Sequence, residues 1–138
     1  MNEQTSLDRA RAYFSQAQRQ LNHAKEHQNA ACDVCGPGGG HTFHTCYEVA
    51  TNAMKSLLSL QNRNLAQTID LKLVVAEAAG DLSGFESAVN MIDRMLACGT
   101  RRASYNSEPD PGDVAEAIQL TEQFVALVGA HLPKEVLT

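Results

Sequence analysis

Tryptophan is absent, and aromatic residues make up only 5% of the chain. Large rings therefore cannot fill the interior, which falls to Leu, Val, Ile, Ala and Met, a set suited to packing helix on helix. Long apolar runs are also missing. None approaches the ~18 residues of a membrane span, so we expect no membrane partner. Basic excess is lacking as well: 11 Lys and Arg face 16 Asp and Glu, a net charge of −5. Broad coating of a DNA duplex needs the opposite balance, although a local cationic pocket stays open. The opening residues MNEQTSLDRAR are too polar for a signal peptide, so the expected location is cytoplasmic. In that setting four cysteines read as reduced thiols or metal ligands, not as a disulfide framework. The length of 138 residues suits one domain, taken here as 1–138.

What the chain does have is helical periodicity. The central stretch is HTFHTCYEVATNAMKSLLSL, from His41 to Leu60. Its apolar positions Phe43, Cys46, Tyr47, Ala50, Ala53, Met54, Leu57 and Leu58 recur at helical steps and define one wide buried face. Ala50 and Ala53 leave room for a close neighbour, while Tyr47, Met54 and Leu57 fill the space between. A capping box of Thr45 with Glu48, or the Thr42 hydroxyl, can start this helix. Before it, a first helix is predicted from an N-cap at Ser6 to about His27, with Leu7, Ala10, Phe14, Ala17, Leu21 and Ala24 inward. The connection NAACDVCGPGGG breaks that helix and sets the two antiparallel.

After a turn at 62–64, a third helix is expected over about Leu65–Ala79, with Ile69, Leu73 and Val74 inside and Gly80 as its C′ residue. Adjacent Val74 and Val75 leave a short strand as the alternative. A fourth helix, about Leu82–Ala97, carries Phe85, Val89, Ile92 and Leu96 and stops at Gly99. The polar loop TRRASYNSEPDPG follows. Pro111 then opens a last helix, with Asp113 and Glu116 as a second capping box, and Val114, Ile118, Thr121, Val125 and Val128 on one face. The expected fold class is all-α, a five-helix antiparallel bundle.

The order of these segments resembles the HEPN domain family. Tyr13-Phe14 on the first helix, CYEVATNAMKSLL on the second, TIDLKLVV, an Arg-and-Tyr loop and DVAEAIQLTEQFVALV cover about Leu7–Leu132. The Cys-Tyr pair and the cysteine-bearing approach to it look most like the sacsin type, the HEPN domain at the C-terminus of a large chaperone-like protein. The resemblance implies a five-helix bundle, commonly a homodimer, that binds nucleotides, cleaves RNA or serves as a protein-partner module. Cleaving members carry an Arg followed a few residues later by a His. Here Arg101 and Arg102 occupy that position, but ASYNSEPD supplies no His. Without an acid or base poised near neutral pH, proton transfer at a 2′-hydroxyl has no agent, so a non-catalytic module is expected. A ribonuclease with displaced groups and a purely structural interaction domain are the alternatives. The family's Arg-Tyr-Pro also departs here, as Arg102, Tyr105 and Asn106, and Thr51 replaces its frequent acidic residue.

Two constellations remain. Lys55, Arg101, Arg102 and Tyr105 can form a phosphate cleft for GTP or ATP, since guanidinium forks grip phosphate and a phenol ring stacks on a base. The plainer reading places both arginines on a solvated helix end. Cys32 and Cys35, followed by His41 and His44, carry donors for tetrahedral zinc, with His23 and His27 one turn apart upstream. The plainer reading there is free thiols and loop histidines, with Cys46 a small buried hydrophobe. Gly36 to Gly40 lacks the preceding strand and the Lys of a phosphate loop and reads as a connector. Cys98 has no evident His partner and reads as packing.

Overall fold

The computed structural model describes residues 3–28, 38–61, 70–100 and 109–137. Among them are six helices and no strand: α1 (Glu3–Glu26), α2 (Gly40–Ser59), α3 (Leu71–Asp81), α4 (Ser87–Thr100), α5 (Pro111–Ala130) and the short α6 (Lys134–Leu137). The fold is an all-α helical bundle. The strand alternative at Val74-Val75 is excluded, since both lie within α3.

Small residues govern the central contact. Ala10, Ala17 and Ala24 of α1 and Ala50 and Ala53 of α2 are all buried. With so little side chain in the way, the Ser56 hydroxyl of α2 donates to the Ala10 carbonyl of α1 at 2.6 Å. Further along, Asn52 donates to Gln20 at 2.7 Å, and Gln20 donates to Glu48 at 2.9 Å. At the far end the Thr42 hydroxyl donates to the Gln28 carbonyl at 2.8 Å. Residues 10, 20 and 28 thus meet 56, 48 and 42, so α1 and α2 run antiparallel. The Thr42 hydroxyl closes the end of α1 and does not cap α2, and Thr45 bonds back to the His41 carbonyl inside the helix.

The second hairpin is α4–α5. Arg94 pairs with Glu116 at 3.0 Å, and the Thr121 hydroxyl reaches Met95 Sδ at 3.2 Å. Deeper in the core the Phe85 and Phe124 rings meet edge to face, 6.3 Å between centres, a favoured aromatic geometry. Against α1, Gly129 of α5 admits the Phe14 ring, to which an added Cβ would stand 3.2 Å away. Arg11 then ties α6 to α1 through its Nε–H and the Glu135 carbonyl, 3.1 Å apart.

Several expected boundaries move. Ser6 is buried inside α1, which starts earlier. Gly80 lies within α3, because the Leu82 N–H still reaches the Ala78 carbonyl at 2.8 Å. Leu73 is 56% exposed, since Leu71, Val74, Val75 and Ala78 take the inner face. Leu82 to Glu86 form a turn through Gly84, whose φ is +85°, so α4 begins only at Ser87. Gly99 continues α4 and packs on Phe43. Asp110 caps α5 by accepting the Gly112 N–H at 2.7 Å, in place of the Asp113–Glu116 box. Tyr47 is 38% exposed and does not fill the core. Residues 62–69, including the expected turn, helix start and Ile69, lie outside the described residues.

Candidate functional site

The chemistry-bearing side chains gather where α1 ends and α2 begins. Gly39 makes that junction tight. It is the N-cap of α2 with φ 92° and ψ −19°, a left-handed backbone that favours glycine. A Cβ there would stand 2.9 Å from Val114 Cγ2 at the start of α5. Together with the Thr42–Gln28 bond, this close approach brings the last turn of α1 beside the first turn of α2.

His23 in the last turn of α1 and His27 one turn on, just past the helix end, have ring centres 4.5 Å apart. His41 of α2 stands 6.3 Å from His23, edge to face, and His44 lies 6.5 Å from His41. Four of the five histidines of the chain thus form one row across two helices. His41 is half-buried, and the other three are exposed. His44 Nε2 is 2.6 Å from Glu48 Oε1, and the other oxygen of Glu48 accepts from Gln20. Of the expected zinc ligands, His41 and His44 come together here, while Cys32 and Cys35 lie outside the described residues. The sequence shows the His23 and His27 spacing, but only the register set at Thr42 joins that pair to the second one.

Of the expected phosphate set, Lys55 is half-buried, with Nζ 5.8 Å from the Tyr13 ring centre, within cation–π range. Arg101, Arg102 and Tyr105 lie outside the described residues. The chain leaves α4 next to Phe43, against which Gly99 packs. Lys55 sits three helical turns further along α2, about 18 Å at the usual rise. The last described residues of α4 are therefore at the histidine end of α2, and Lys55 is towards the other.

A second set of donors lies between α4 and α5. Donor atoms of Cys98, Asp113 and Glu116 fall within 4.8 Å of one another. Arg94 already faces the Glu116 carboxylate at 3.0 Å, which disfavours a cation there. Cys46 and Cys98 are both buried. Burial pushes the Cys46 thiol up to about 11, partly opposed by its hydrogen bond to Thr121 and reinforced by Cys98. Near neutral pH it is a packed thiol with almost no thiolate, hence a poor nucleophile.

His131, at the C-cap of α5, has a different part. Its Nδ1 is 3.0 Å from the Leu127 carbonyl oxygen and its Nε2 is 3.0 Å from that of Ser83. Two carbonyl acceptors are both satisfied only by an imidazolium, so these bonds raise its pKa above the ordinary value, with desolvation a smaller opposing effect. The ring also stands edge-on to Phe85, 5.3 Å between centres. A groove of about 690 Å³ runs between α1 and α5 and is lined by Phe14, Leu21, Val125, Glu122 and Leu137 among others. Its charged lining group, Glu122, is paired with Lys25 at 3.0 Å. Among the described residues no helix is long and apolar enough to cross a membrane.

Comparison with protein-family models, curated proteins and solved structures finds no match to this chain.

Proposed function

We propose that the chain is a non-catalytic helical module of the HEPN type, which self-associates as a homodimer and binds a nucleotide or another anionic ligand through Arg101, Arg102 and Tyr105. Two long helices paired as a hairpin, a shorter α3, and an α4–α5 hairpin interrupted by the Arg-Tyr loop agree with that reading. The observation that carries it is the position of His131. It is the histidine that follows the arginines in sequence, and so the one that would stand in for the missing His of the cleaving motif. It sits at the far end of α5, whose 20 residues separate it by about 30 Å from Asp110, where the loop rejoins the bundle. Both of its ring nitrogens face backbone carbonyls. General acid–base work needs a group free to reach the proton it moves, and a ring held between two carbonyls supports the non-catalytic reading.

Incubation with single-stranded RNA tests the non-catalytic part. Wild-type protein is expected to leave the RNA intact, with or without divalent metal. Cleavage that disappears in Arg102→Ala would overturn the reading and restore a ribonuclease.

A further inference from the structure

Beyond the nucleotide reading, and independent of it, the geometry points to a divalent transition-metal site built from His23, His27, His41 and His44. Imidazole is a good ligand for zinc, copper and nickel. Histidines one turn apart on a helix can chelate a single ion from one face, and sites inside helical bundles add ligands from a facing helix. Both elements are present here: His23 in the last turn of α1 and His27 just past its end supply the pair, His41 faces His23 from α2, and His44 flanks His41 one turn further on.

The His23–His27 spacing fits a shared ion as it stands. A metal–nitrogen bond of about 2.1 Å, with ~1.1 Å from nitrogen to ring centre, puts each centroid ~3.2 Å from the metal. Two rings on one ion then stand about 4.5 Å apart at a right angle, ~5 Å at a tetrahedral angle and ~6.4 Å when opposed. The 4.5 Å between His23 and His27 matches the lower value, the 6.3 Å between His23 and His41 falls just inside the upper limit, and the 6.5 Å between His41 and His44 lies just beyond it. The nitrogens do not yet converge on one point. Three of the rings are on exposed side chains, so rotation about their side-chain bonds can bring them in without disturbing the core.

An outer shell stands ready. With its Nε2–H donated to Glu48, His44 keeps its lone pair on Nδ1, the nitrogen left for the metal. Gln20 holds the other oxygen of Glu48 and is itself held by Asn52. A carboxylate that orients an imidazole in this way fixes its tautomer and strengthens it as a ligand. The rigid junction at Gly39 and Thr42 sets the spacing of the two pairs before any ion arrives, which lowers the ordering cost of binding.

Equilibrium dialysis of the chelator-stripped full chain against Zn²⁺, followed by metal analysis, tests the site. One zinc per chain is expected. The His23→Gln/His41→Gln variant should lose it while keeping its helical circular dichroism. Glu48→Gln should weaken binding about tenfold through the outer shell, and His131→Gln should bind as wild type does. Cobalt(II) gives an independent readout, since an imidazole site shows d–d bands without a thiolate charge-transfer band. Two results would each overturn the proposal: no zinc retained by wild-type protein, or zinc retained by the histidine variant and lost in Cys32→Ser/Cys35→Ser.

Discussion

Gly39 and Gly80 should respond to the same substitution with opposite signs. At Gly39 an alanine inherits φ 92° and a Cβ 2.9 Å from Val114 Cγ2. The left-handed backbone costs an L-residue about 1–2 kcal/mol. Crowding against Val114, which is 3% exposed and cannot retreat into solvent, adds about 1–3 kcal/mol. The reduced freedom of the unfolded chain returns about 0.4–1 kcal/mol. The net loss is about 1–4.5 kcal/mol, a sizeable share of the ~5–15 kcal/mol that holds a typical domain together. At this chain length it corresponds to a fall in Tm of roughly 3–16 °C. Gly80 sits inside α3 with nothing within 4 Å of an added Cβ. There the helix propensity of alanine should raise stability by about 0.5–1 kcal/mol. Urea denaturation followed by circular dichroism measures both variants. A neutral or stabilising Gly39→Ala would refute the account of the α1–α2 junction, and a destabilising Gly80→Ala would refute the placement of that glycine in the open last turn of α3.

Two other features respond to pH and to thiol reagents. His131 has a folded pKa raised by the Leu127 and Ser83 carbonyls, so its contribution is complete below the unfolded value of about 6.5 and fades as pH rises through the folded one. The stability gap between wild type and His131→Gln should therefore be wider at low pH than at high pH; a gap that is constant with pH would count against the two-carbonyl clamp. Cys46 should resist iodoacetamide in the native state near neutral pH and react once urea opens the core, because burial raises its thiol pKa to about 11. Peptide mapping that finds it labelled in the native protein would contradict the packing around Thr121.

The helical stripes were legible because burial follows them: Ala10, Phe14, Ala17 and Leu21 on α1, and Val114, Ile118, Val125 and Val128 on α5, all face the core. Glycine punctuation was less reliable. Gly99 looks like a stop, yet α4 continues through it where its small size admits Phe43. Leu82 and Phe85 share the period of Val89, which concealed the turn that Gly84 makes between α3 and α4. Caps depended on neighbours that a linear pattern does not contain. Thr42 finds an acceptor at Gln28 just past α1, and Asp110 caps the start of α5 one residue before Pro111. The candidate site was half legible for the same reason. Each histidine pair is visible as a spacing, but their meeting depends on the register of two antiparallel helices. Conversely, no linear pattern shows that α4 ends beside Phe43, about 18 Å along α2 from Lys55.

The central claim is ligand binding without catalysis, and a thermal-shift titration with ATP, GTP and their monophosphates tests it most directly. A ligand that binds only the folded state at a hundredfold excess over its Kd stabilises it by about 2.7 kcal/mol. The account predicts a saturable rise in Tm for at least one nucleotide, lost in Arg101→Ala/Arg102→Ala. No shift at millimolar nucleotide, or a shift that survives in the double variant, would contradict it and leave a module that works through protein partners alone.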